Sequence, residues 1–303
     1  MKKYIEYYYN CIVDSIRYDS LKYYLSINNK KYMLKKIHNI EVVDNYYKIR
    51  QQLKKYGFFF DIVPNKYNSL ITIIDNENYV LLHVTSIPNE MISIYDIRID
   101  MFVEDKINKN FSQIWTKRWE EKIDYFEMLL EQKSGLYNKL YPVFQYYIGI
   151  GEQAILYLKN NGIKPQESDI SVIQHYRLSS NSSLFDYYDP TNIMVDHASR
   201  DIVEYIKSLI VNGIAVEELT LLLNEYLDNY RFSNYGKRLM YARFLFPSFF
   251  FDSIEEIEIN GKHNEINEEV LKEYEIKIEY FEECLTALNK LFKEKYNIAI
   301  ISV

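Results

Sequence analysis

The sequence predicts an α+β fold in two closely joined parts, a small β-rich part over residues 1–100 and a mostly helical part over residues 101–303. The first part has short runs of β-branched and aliphatic residues between polar turns, whereas the second has long stretches with apolar residues at helical spacing. With 48% hydrophobic residues in 303, the chain can bury a sizeable core. No Pro-, Gly- or Ser-rich linker separates the parts, so we expect them to pack together.

The N-terminal part predicts a strand pair, a helix and a second strand pair. Residues 22–37, KYYLSINNKKYMLKKI, indicate a hairpin around the Asn28-Asn29 turn. The stretch SLITIIDNENYVLLHVTSI indicates two further strands around a polar turn at residues 75–78. Between them, VVDNYYKIRQQLKKYGF predicts a helix that ends before Gly57. The apolar side of this helix carries Val42, Tyr46, Ile49 and Leu53.

The C-terminal part predicts a series of amphipathic helices. The first, FSQIWTKRWEEKIDYFEMLLEQ, has an apolar side made of Ile114, Trp115, Trp119, Ile123, Phe126 and Leu130. LYPVFQYYIGIGEQAILYLKNN continues in the same manner until Gly162 and Pro165 stop it. An irregular segment is expected from Ser168 to Ala198. The helix candidates that follow are RDIVEYIKSLIVNG, VEELTLLLNEYLDNY, YGKRLMYARFLFPSFFFDSIEEI and INEEVLKEYEIKIEYFEECLTALNKLFKEKY.

Composition excludes several classes of function. The net charge of -7 comes from 43 acidic and 36 basic residues spread along the chain, so no nucleic-acid footprint is expected. Only eight glycines occur and no phosphate-binding glycine motif is present; the nearest stretch, GIGEQA from Gly149, lies inside a helical pattern. The 31 tyrosines fit either an AT-rich coding sequence or an adhesive or cross-linking role.

The cysteines and the apolar stretches indicate a protein made in a reducing cytoplasm. Cys11 and Cys284 stand far apart without metal-ligand spacing, so neither a disulfide framework nor a structural zinc site is expected. The N-terminus mixes Glu, Asn and Asp among its apolar residues, unlike a secretory signal. RFLFPSFFF, the longest apolar stretch, is too short to span a bilayer.

A β-rich part joined to a helical part with one irregular loop region is the layout of a kinase-like bilobal protein. Phosphoryl transfer needs a strand lysine that neutralises the nucleotide phosphates. YMLKKI offers Lys35, with Lys36 as the alternative by strand parity; both could also be exposed hairpin lysines. The hairpin turn that would cover the phosphates, INNKKY, has no glycine. Tight nucleotide binding is therefore not expected.

The segment SVIQHYRLSSNSS departs from a catalytic kinase loop. Such loops place an Asp two residues after a His and an Asn five residues after that Asp. Here His175 is followed by Arg177, Ser182 stands at the Asn position, and Asn181 is one residue early. A guanidinium cannot act as a base at physiological pH. The sequence therefore predicts that the ordinary mechanism has lost its base.

Two groups of acidic residues follow. In DYYDPTN, Asp189 or Asp186 could bind a metal, or both could cap turns around Pro190. In VDHASRD, Asp196, His197, Arg200 and Asp201 lie within six residues. Asp201 and Glu204 form a D-x-x-E start that predicts helix capping, and Arg200 can pair with a carboxylate or with carbonyl groups. His197 beside Asp196 fits either a general base or, more commonly, a hydrogen-bonded structural residue. No G-x-S-x-G motif supports a hydrolase.

Three motifs carry a resemblance to a known family. YYIGIGEQAILYL (residues 146–158), VDHASRDIVEYI (residues 195–206) and GKRLMYARFLFPSFFFDSIEE (residues 236–256) occur in this order. Together they resemble the YutH branch of the bacterial spore coat proteins related to CotS. The resemblance covers roughly residues 112–256, and the N-terminal part agrees mainly in layout.

The resemblance implies a fold similar to that of aminoglycoside phosphotransferases and choline kinases, with a β-rich N-lobe and a helical C-lobe. In active relatives an H-G-D segment holds the base, a D-x-D or D-W-E segment holds the metal, and a helix-starting Asp follows. His175 matches that His, Arg177 replaces the catalytic Asp, Asp189 matches the metal Asp and Asp201 matches the helix-starting Asp, a scaffold residue. No catalytic residue and no cofactor are then expected.

The function implied by the resemblance is a structural or assembly role in the endospore coat. The protein would be made in the mother-cell cytoplasm, and its partners would be other coat proteins. One alternative is an active small-molecule kinase with ATP and Mg²⁺, in which Lys35 and Asp189 are ligands and His175 or Asp196 is an unconventional base. A second alternative is a pseudokinase that binds nucleotide without turnover.

Overall fold

The computed structural model describes residues 1–19, 22–58, 60–85, 90–103, 110–160, 162, 164–262 and 266–301. The chain forms two compact units: unit 1 is Met1–Ser93 with Ile173–Val195, and unit 2 is Ile94–Val172 with Asp196–Val303. The segment from Ile173 to Val195 therefore packs with the N-terminal elements, although it lies far from them in the sequence. The boundary at residue 100 between two kinase-type lobes stays a prediction.

The strands are β1 (Ser15–Asp19), β2 (Lys22–Ile27), β3 (Lys30–Lys36), β4 (Phe60–Val63), β5 (Thr72–Ile74), β6 (Glu77–Val84), β7 (Ser171–His175) and β8 (Ile193–His197). The α-helices are α1 (Lys2–Tyr9), α2 (Glu41–Lys55), α3 (Phe111–Gln132), α4 (Ser134–Tyr137), α5 (Tyr141–Asn160), α6 (Leu184–Tyr187), α7 (Ser199–Val211), α8 (Val216–Asn229), α9 (Asn234–Leu245), α10 (Ser248–Asn260) and α11 (Glu268–Glu294).

Unit 1 is built on an antiparallel sheet with the order β1-β2-β3-β6-β4, and β5 also pairs with β6. The predicted hairpin is β2–β3, and its turn residues Asn28 and Asn29 have positive φ angles of 50° and 61°. Asp75 and Asn76, in the turn between β5 and β6, also have positive φ angles, of 52° and 63°. Asn and Asp tolerate this left-handed backbone best after glycine, so both predicted hairpins are confirmed.

Strands β1 and β4 were not predicted from the sequence. β1 is almost entirely exposed, so its side chains carry no apolar alternation that could reveal it. β4 has only four residues. Because β1 precedes the predicted hairpin, INNKKY connects the second and third strands of the sheet. Residues 20 and 21, between β1 and β2, lie outside the described residues.

Helix α2 confirms its prediction, and Gly57 follows its end with φ 87°. Its buried side chains are Val42, Val43, Tyr46, Ile49 and Leu53. In α3, Trp119, Ile123 and Phe126 are buried as expected, but Ile114 is 37% exposed. Ile114 was predicted on the apolar side of α3, but it is not part of the buried side of this helix.

Two predictions about the C-terminal part are wrong. The segment from Ser168 to Ala198 is not simply irregular, since it contains β7, α6 and the partner strand β8. All five residues of β7 are buried, which removes the alternation that reveals a strand. The candidate helix YGKRLMYARFLFPSFFFDSIEEI is broken into α9 and α10, because Pro247 lacks an amide hydrogen and disfavours helical backbone at Phe246.

Aromatic rings fill the core of unit 2. Trp119 stacks on Phe246 with ring centroids 4.6 Å apart, and Tyr147 stacks on Phe250 at 4.3 Å. None of the helices in the described ranges has the length and apolar character needed to cross a bilayer.

Candidate functional site

The strand lysine of unit 1 lies against a carboxylate. Lys35, on β3, places its ammonium 2.7 Å from Asp189 Oδ2 and 2.7 Å from Thr191 Oγ1. Lys36 faces the other side of the strand, where it pairs with Glu77 at 2.9 Å. Of the two lysines that the sequence left open, Lys35 is the one that meets Asp189.

Asp189 is held by the short Asp-Pro-Thr turn after α6. Its Oδ1 accepts hydrogen bonds from the Thr191 amide at 2.8 Å and from the Thr191 hydroxyl at 2.7 Å. Burial disfavours the charged carboxylate, but the Lys35 ammonium and the Thr191 donors outweigh it and hold the pKa of Asp189 below its usual value. One oxygen of Asp189 thus closes the turn at Pro190, as one of the two predicted roles requires, and the other pairs with the lysine. The alternative role, metal binding, stays a prediction.

Asp186, the other acidic candidate, helps to cap the N-terminus of helix α6. Its Oδ2 accepts hydrogen bonds from the Ser183 hydroxyl at 2.8 Å and the Ser183 amide at 3.1 Å. Ser183 Oγ in turn accepts from the Asp186 amide, which completes a capping box. The other carboxylate oxygen lies 3.7 Å from the Lys22 ammonium. Asp186 is therefore committed to local structure.

His175 ends strand β7 and is fully buried. Its Nε2 lies 2.7 Å from the carbonyl oxygen of Tyr187. Since a carbonyl oxygen only accepts, Nε2 carries the proton and donates it. That nitrogen is therefore not free to take a proton from a substrate.

Arg177 is exposed, and its backbone is fixed by Asn192. The Asn192 side chain accepts from the Arg177 amide at 3.3 Å and donates to the Arg177 carbonyl oxygen at 2.8 Å. Nη1 of Arg177 donates to the Tyr176 carbonyl oxygen at 2.8 Å. This side chain stays a cation at any physiological pH. Asn192 was missed in the sequence, because it lies fifteen positions from the residue it holds.

The two residues near the expected Asn position build a turn. Ser182 Oγ accepts from the Ser179 amide at 3.1 Å, and the Ser182 amide donates to the Ser179 carbonyl oxygen at 3.0 Å. Asn181, between them, is exposed. Ser182 thus shapes the loop.

Asp196 is the centre of a buried cluster in unit 2. Its two carboxylate oxygens accept from Arg243 Nη2 at 2.9 Å each, and from Trp115 Nε1 at 3.1 and 2.9 Å. Oδ1 also accepts from the His197 amide at 2.7 Å. With 1% of its surface exposed, Asp196 is a counter-ion inside the fold.

Two guanidiniums share this carboxylate and one indole ring. Arg200 lies 3.6 Å from Asp196 Oδ2. The Arg200 and Arg243 guanidiniums each stand 4.6 Å from the centroid of the Trp115 ring. Cations over an indole face are attracted by its quadrupole, and this attraction helps to compensate the second buried positive charge.

His197 connects the helix α7 terminus to a second carboxylate. Its Nδ1 accepts from the Ser199 amide at 3.1 Å, so Nε2 carries the proton and donates to Asp169 Oδ1 at 3.1 Å. Asp169 also accepts from the Ser233 hydroxyl at 2.6 Å and the Gln166 amide at 2.8 Å. Burial opposes the charge, but these donors hold the pKa of Asp169 below its usual value.

The start of helix α7 differs from the predicted D-x-x-E cap. The helix begins at Ser199, with Ala198 as N-cap and no side-chain cap bond. Strand β8 runs almost directly into the helix, so the helix starts two residues before Asp201. Asp201 lies fully buried in the first turn, where a negative charge suits the helix dipole. His197 Nδ1 bonds the first helical amide, that of Ser199.

A cavity of about 560 Å³ in unit 2 borders His197 and Asp169. At its rim Arg98 forms two hydrogen bonds with Asp100, at 2.9 and 3.0 Å. Within the described residues, no group of three or more His, Cys, Asp or Glu side chains is arranged to hold a metal ion.

The three motifs of the sequence resemblance meet in unit 2. Gly151, from the first, lies against Phe246 of the third: a Cβ there would stand 3.5 Å from Phe246 Cε2 and 2.9 Å from Ile123 Cδ1. Gly236, from the third, lies against His197 of the second. These two glycines allow close packing between helices and strands that are far apart in the sequence.

Lys207 adds a further link between the second and third motif regions. Its buried ammonium donates to the carbonyl oxygens of Arg243 at 3.2 Å and Phe246 at 2.9 Å, and to the Ser248 hydroxyl at 2.5 Å. These carbonyls end helix α9, where a cation is favourable. The roles of Lys207, Arg243 and Trp115 could not be predicted, because the apolar spacing around each of them indicates only a helix.

Comparison with known proteins agrees with these motifs. The family described as "Spore coat putative kinase YutH" matches residues 2–288. The endospore coat-associated protein YutH of Bacillus subtilis (strain 168) is 32% identical over an alignment of 155 residues that covers 46% of this chain and 45% of that protein. The chain thus matches less than half of the length of this curated relative.

Solved structures agree in fold. An aminoglycoside phosphotransferase from Alicyclobacillus acidocaldarius subsp. acidocaldarius DSM 446 has a TM-score of 0.59 at 10% identity, over 96% of both chains. The choline kinase LicA from Streptococcus pneumoniae has a TM-score of 0.51 at 14% identity, over 93% of this chain and 97% of that one. At such identities only the fold is shared, and the predicted kinase-like α+β fold is confirmed.

The family match extends from residue 2 to residue 288, and the three motifs of the resemblance lie within it. This chain belongs to the spore coat YutH family.

Proposed function

We propose that this protein has a structural or assembly role in the endospore coat and does not transfer phosphate. The coat role is supported by the family and by the name of the Bacillus subtilis relative, an endospore coat-associated protein. The protein would be made in the mother-cell cytoplasm and assemble with other coat proteins. No cofactor is required for this role.

The observation that carries the loss of catalysis is the Lys35–Asp189 pair. A nucleotide with Mg²⁺ needs an ammonium for its phosphates and carboxylate oxygens for its metal. Here the ammonium donates to Asp189 Oδ2, and Asp189 Oδ1 accepts two hydrogen bonds from Thr191. The opposite charges satisfy each other, so the residues as arranged do not fit the nucleotide and its metal.

The three residues considered as a base for phosphate transfer also support the proposal. Arg177 cannot accept a proton. His175 is fully buried, with Nε2 donating to Tyr187, and Asp196 is buried against Arg243 and Trp115. None of these three groups fits an active kinase that uses an unconventional base.

A thermal unfolding measurement tests the nucleotide prediction. A ligand that binds the folded state at about a hundred times its dissociation constant stabilises it by about 2.7 kcal/mol. We expect the unfolding midpoint with millimolar ATP and Mg²⁺ to equal that with Mg²⁺ alone. A higher unfolding midpoint without phosphate release would favour the nucleotide-binding pseudokinase and would overturn the prediction that no nucleotide binds. A higher midpoint with ATP turnover would favour the active kinase and would overturn the proposal that the protein does not transfer phosphate.

Fractionation of sporulating cells tests the coat role. We expect a tagged full-length chain to appear in the mother cell and then in the detergent-resistant coat fraction of purified spores. A tagged soluble cytoplasmic enzyme serves as control for trapping. Recovery of the chain only from vegetative cytosol would contradict the proposal.

A further inference from the structure

Two exposed phenols meet in unit 1, outside the Lys35 site. Tyr7, on α1, and Tyr67, in the loop between β4 and β5, have hydroxyl oxygens 3.2 Å apart. Tyr7 is 57% exposed and Tyr67 is 64% exposed. An oxidant in solution therefore reaches both rings.

The loop that carries Tyr67 is fixed in place by the buried Asn65. The Asn65 amide group donates to Thr72 Oγ1 at 3.1 Å, and its oxygen accepts from the amides of Tyr67 at 3.0 Å and Ser69 at 3.1 Å. The next amide, of Lys66, donates to the carbonyl oxygen of Tyr8 at 2.7 Å. The two phenols are thus held together by the fold, which favours reaction between them over encounters with other chains.

Lys66 makes Tyr7 the more reactive partner. Its ammonium lies 3.1 Å from the centroid of the Tyr7 ring. The hydrogen bond from Tyr67 and the neighbouring ammonium of Lys66 lower the pKa of Tyr7 below its usual value. Since a phenolate gives up an electron more readily than a phenol, oxidation begins more easily at this ring.

We propose that Tyr7 and Tyr67 form a site of oxidative cross-linking, where a peroxidase and hydrogen peroxide join the two rings as dityrosine. Each phenol loses its hydroxyl proton and one electron. The two radicals join through a bond between ortho carbons, and the ring hydrogens of these carbons return to the phenol oxygens. Two hydrogen atoms are lost in total, and one hydrogen peroxide is reduced to two waters.

A second tyrosine pair provides an internal comparison. Tyr18 and Tyr23 face each other across β1 and β2 with ring centroids 4.7 Å apart. Tyr23 is half-buried and packs against the core of unit 1, unlike Tyr7 and Tyr67. We therefore expect the Tyr18–Tyr23 pair to couple less than the Tyr7–Tyr67 pair.

The test is oxidation of the dilute full-length chain with a haem peroxidase and limiting hydrogen peroxide, followed by proteolysis and mass spectrometry. We expect dityrosine fluorescence and, as the most abundant cross-link, a peptide pair joined between Tyr7 and Tyr67 that has lost two hydrogen atoms. Tyr67→Phe, which keeps the ring, should abolish this pair, whereas Tyr8→Phe should retain it.

Three outcomes would overturn the proposal: oxidation of other tyrosines without the Tyr7–Tyr67 link, equal or greater coupling between Tyr18 and Tyr23, or only links between chains. Mapping of the unaltered chain decides the matter even if Tyr67→Phe does not fold. The proposal does not depend on the role in the coat.

Discussion

A Cβ atom on Gly236 would stand 2.9 Å from Cε1 of His197, in the space that the imidazole ring occupies. This ring cannot move aside easily, because Ser199 holds one of its nitrogens and Asp169 the other. We expect Gly236→Ala to destabilise the protein by about 2 kcal/mol in urea unfolding, the usual cost of overpacking.

Gly149→Ala is the matched control for that substitution. Gly149 lies inside α5 and has no atom within 4 Å of the position of its Cβ. Alanine there should stabilise the protein by about 0.5–1 kcal/mol, since glycine is a poor helix former. Equal effects of the two substitutions would show that the His197 contact is not what constrains residue 236.

The buried Asp196 cluster should be sensitive to loss of the negative charge of Asp196. Asp196→Asn has nearly the same shape but removes the carboxylate charge that Arg200 and Arg243 both face. We expect a loss of about 3 kcal/mol or more in the free energy of unfolding. Lys117→Met, in an exposed pair with Glu121, should change it by less than about 1 kcal/mol. A small effect of Asp196→Asn would mean that the cluster is not held by this charge.

Loss of the Lys207 ammonium should remove one hydrogen bond from each of two buried carbonyl groups. We expect Lys207→Met to cost about 1–3 kcal/mol in urea unfolding, because the oxygens of Arg243 and Phe246 lose a hydrogen bond away from water. Lys139→Met, in an exposed pair with Glu268, is the control. Similar stabilities of the two variants would contradict this role for Lys207.

The Lys35–Asp189 pair predicts a specific pH dependence. The pKa of Asp189 is lower in the folded protein than its unfolded value of about 3.9, so its ionisation stabilises the fold above that pH. This contribution should disappear as the pH falls below about 4 through the folded pKa. We therefore expect Asp189→Asn to lower stability at pH 7 and to show a weaker loss between pH 5 and pH 3, as measured by urea unfolding.

Lys35→Met tests the cause of that shift. Without the ammonium, burial weighs more against the carboxylate and the pKa of Asp189 rises towards or above its unfolded value, so the loss of stability on acidification should be smaller than in the unaltered chain. An unchanged pH profile in both variants would show that the pair contributes nothing to stability.

A carboxylate placed at position 177 should not give the chain phosphotransferase activity. Arg177→Asp supplies the residue type that the resemblance to active kinases expects there, but Lys35 and Asp189 remain bound to each other. We expect no phosphate release from ATP and Mg²⁺ above that of the unaltered chain. Release that depends on the new carboxylate would contradict the expectation that the Lys35–Asp189 pair prevents nucleotide use.

The sequence predicted those parts of the fold that depend on near neighbours. Helix α2 follows from apolar spacing, and the β2–β3 turn follows from two asparagines that tolerate a left-handed backbone. β7 could not be recognised, because a strand buried on both faces has no alternation.

The site was predictable in its residues but not in its pairings. Lys35 and Asp189 were both recognised as candidates, yet 154 positions separate them and no spacing indicates that they touch. Arg243 was read as part of a helix, although it neutralises a carboxylate 47 positions away. Such pairings depend on how helices and strands pack, and one sequence contains no direct signal for that.

The neighbours Asp196 and His197 hold helix α9 at two places, Arg243 and Gly236. These two residues are seven positions apart, or about two turns, and so lie on one side of the helix. Rotation of α9 about its own axis would separate Arg243 from Asp196 and drive the backbone at Gly236 against the imidazole. The end of β8, the start of α7 and helix α9 should therefore move as one rigid piece, and none of them can act as a swinging loop.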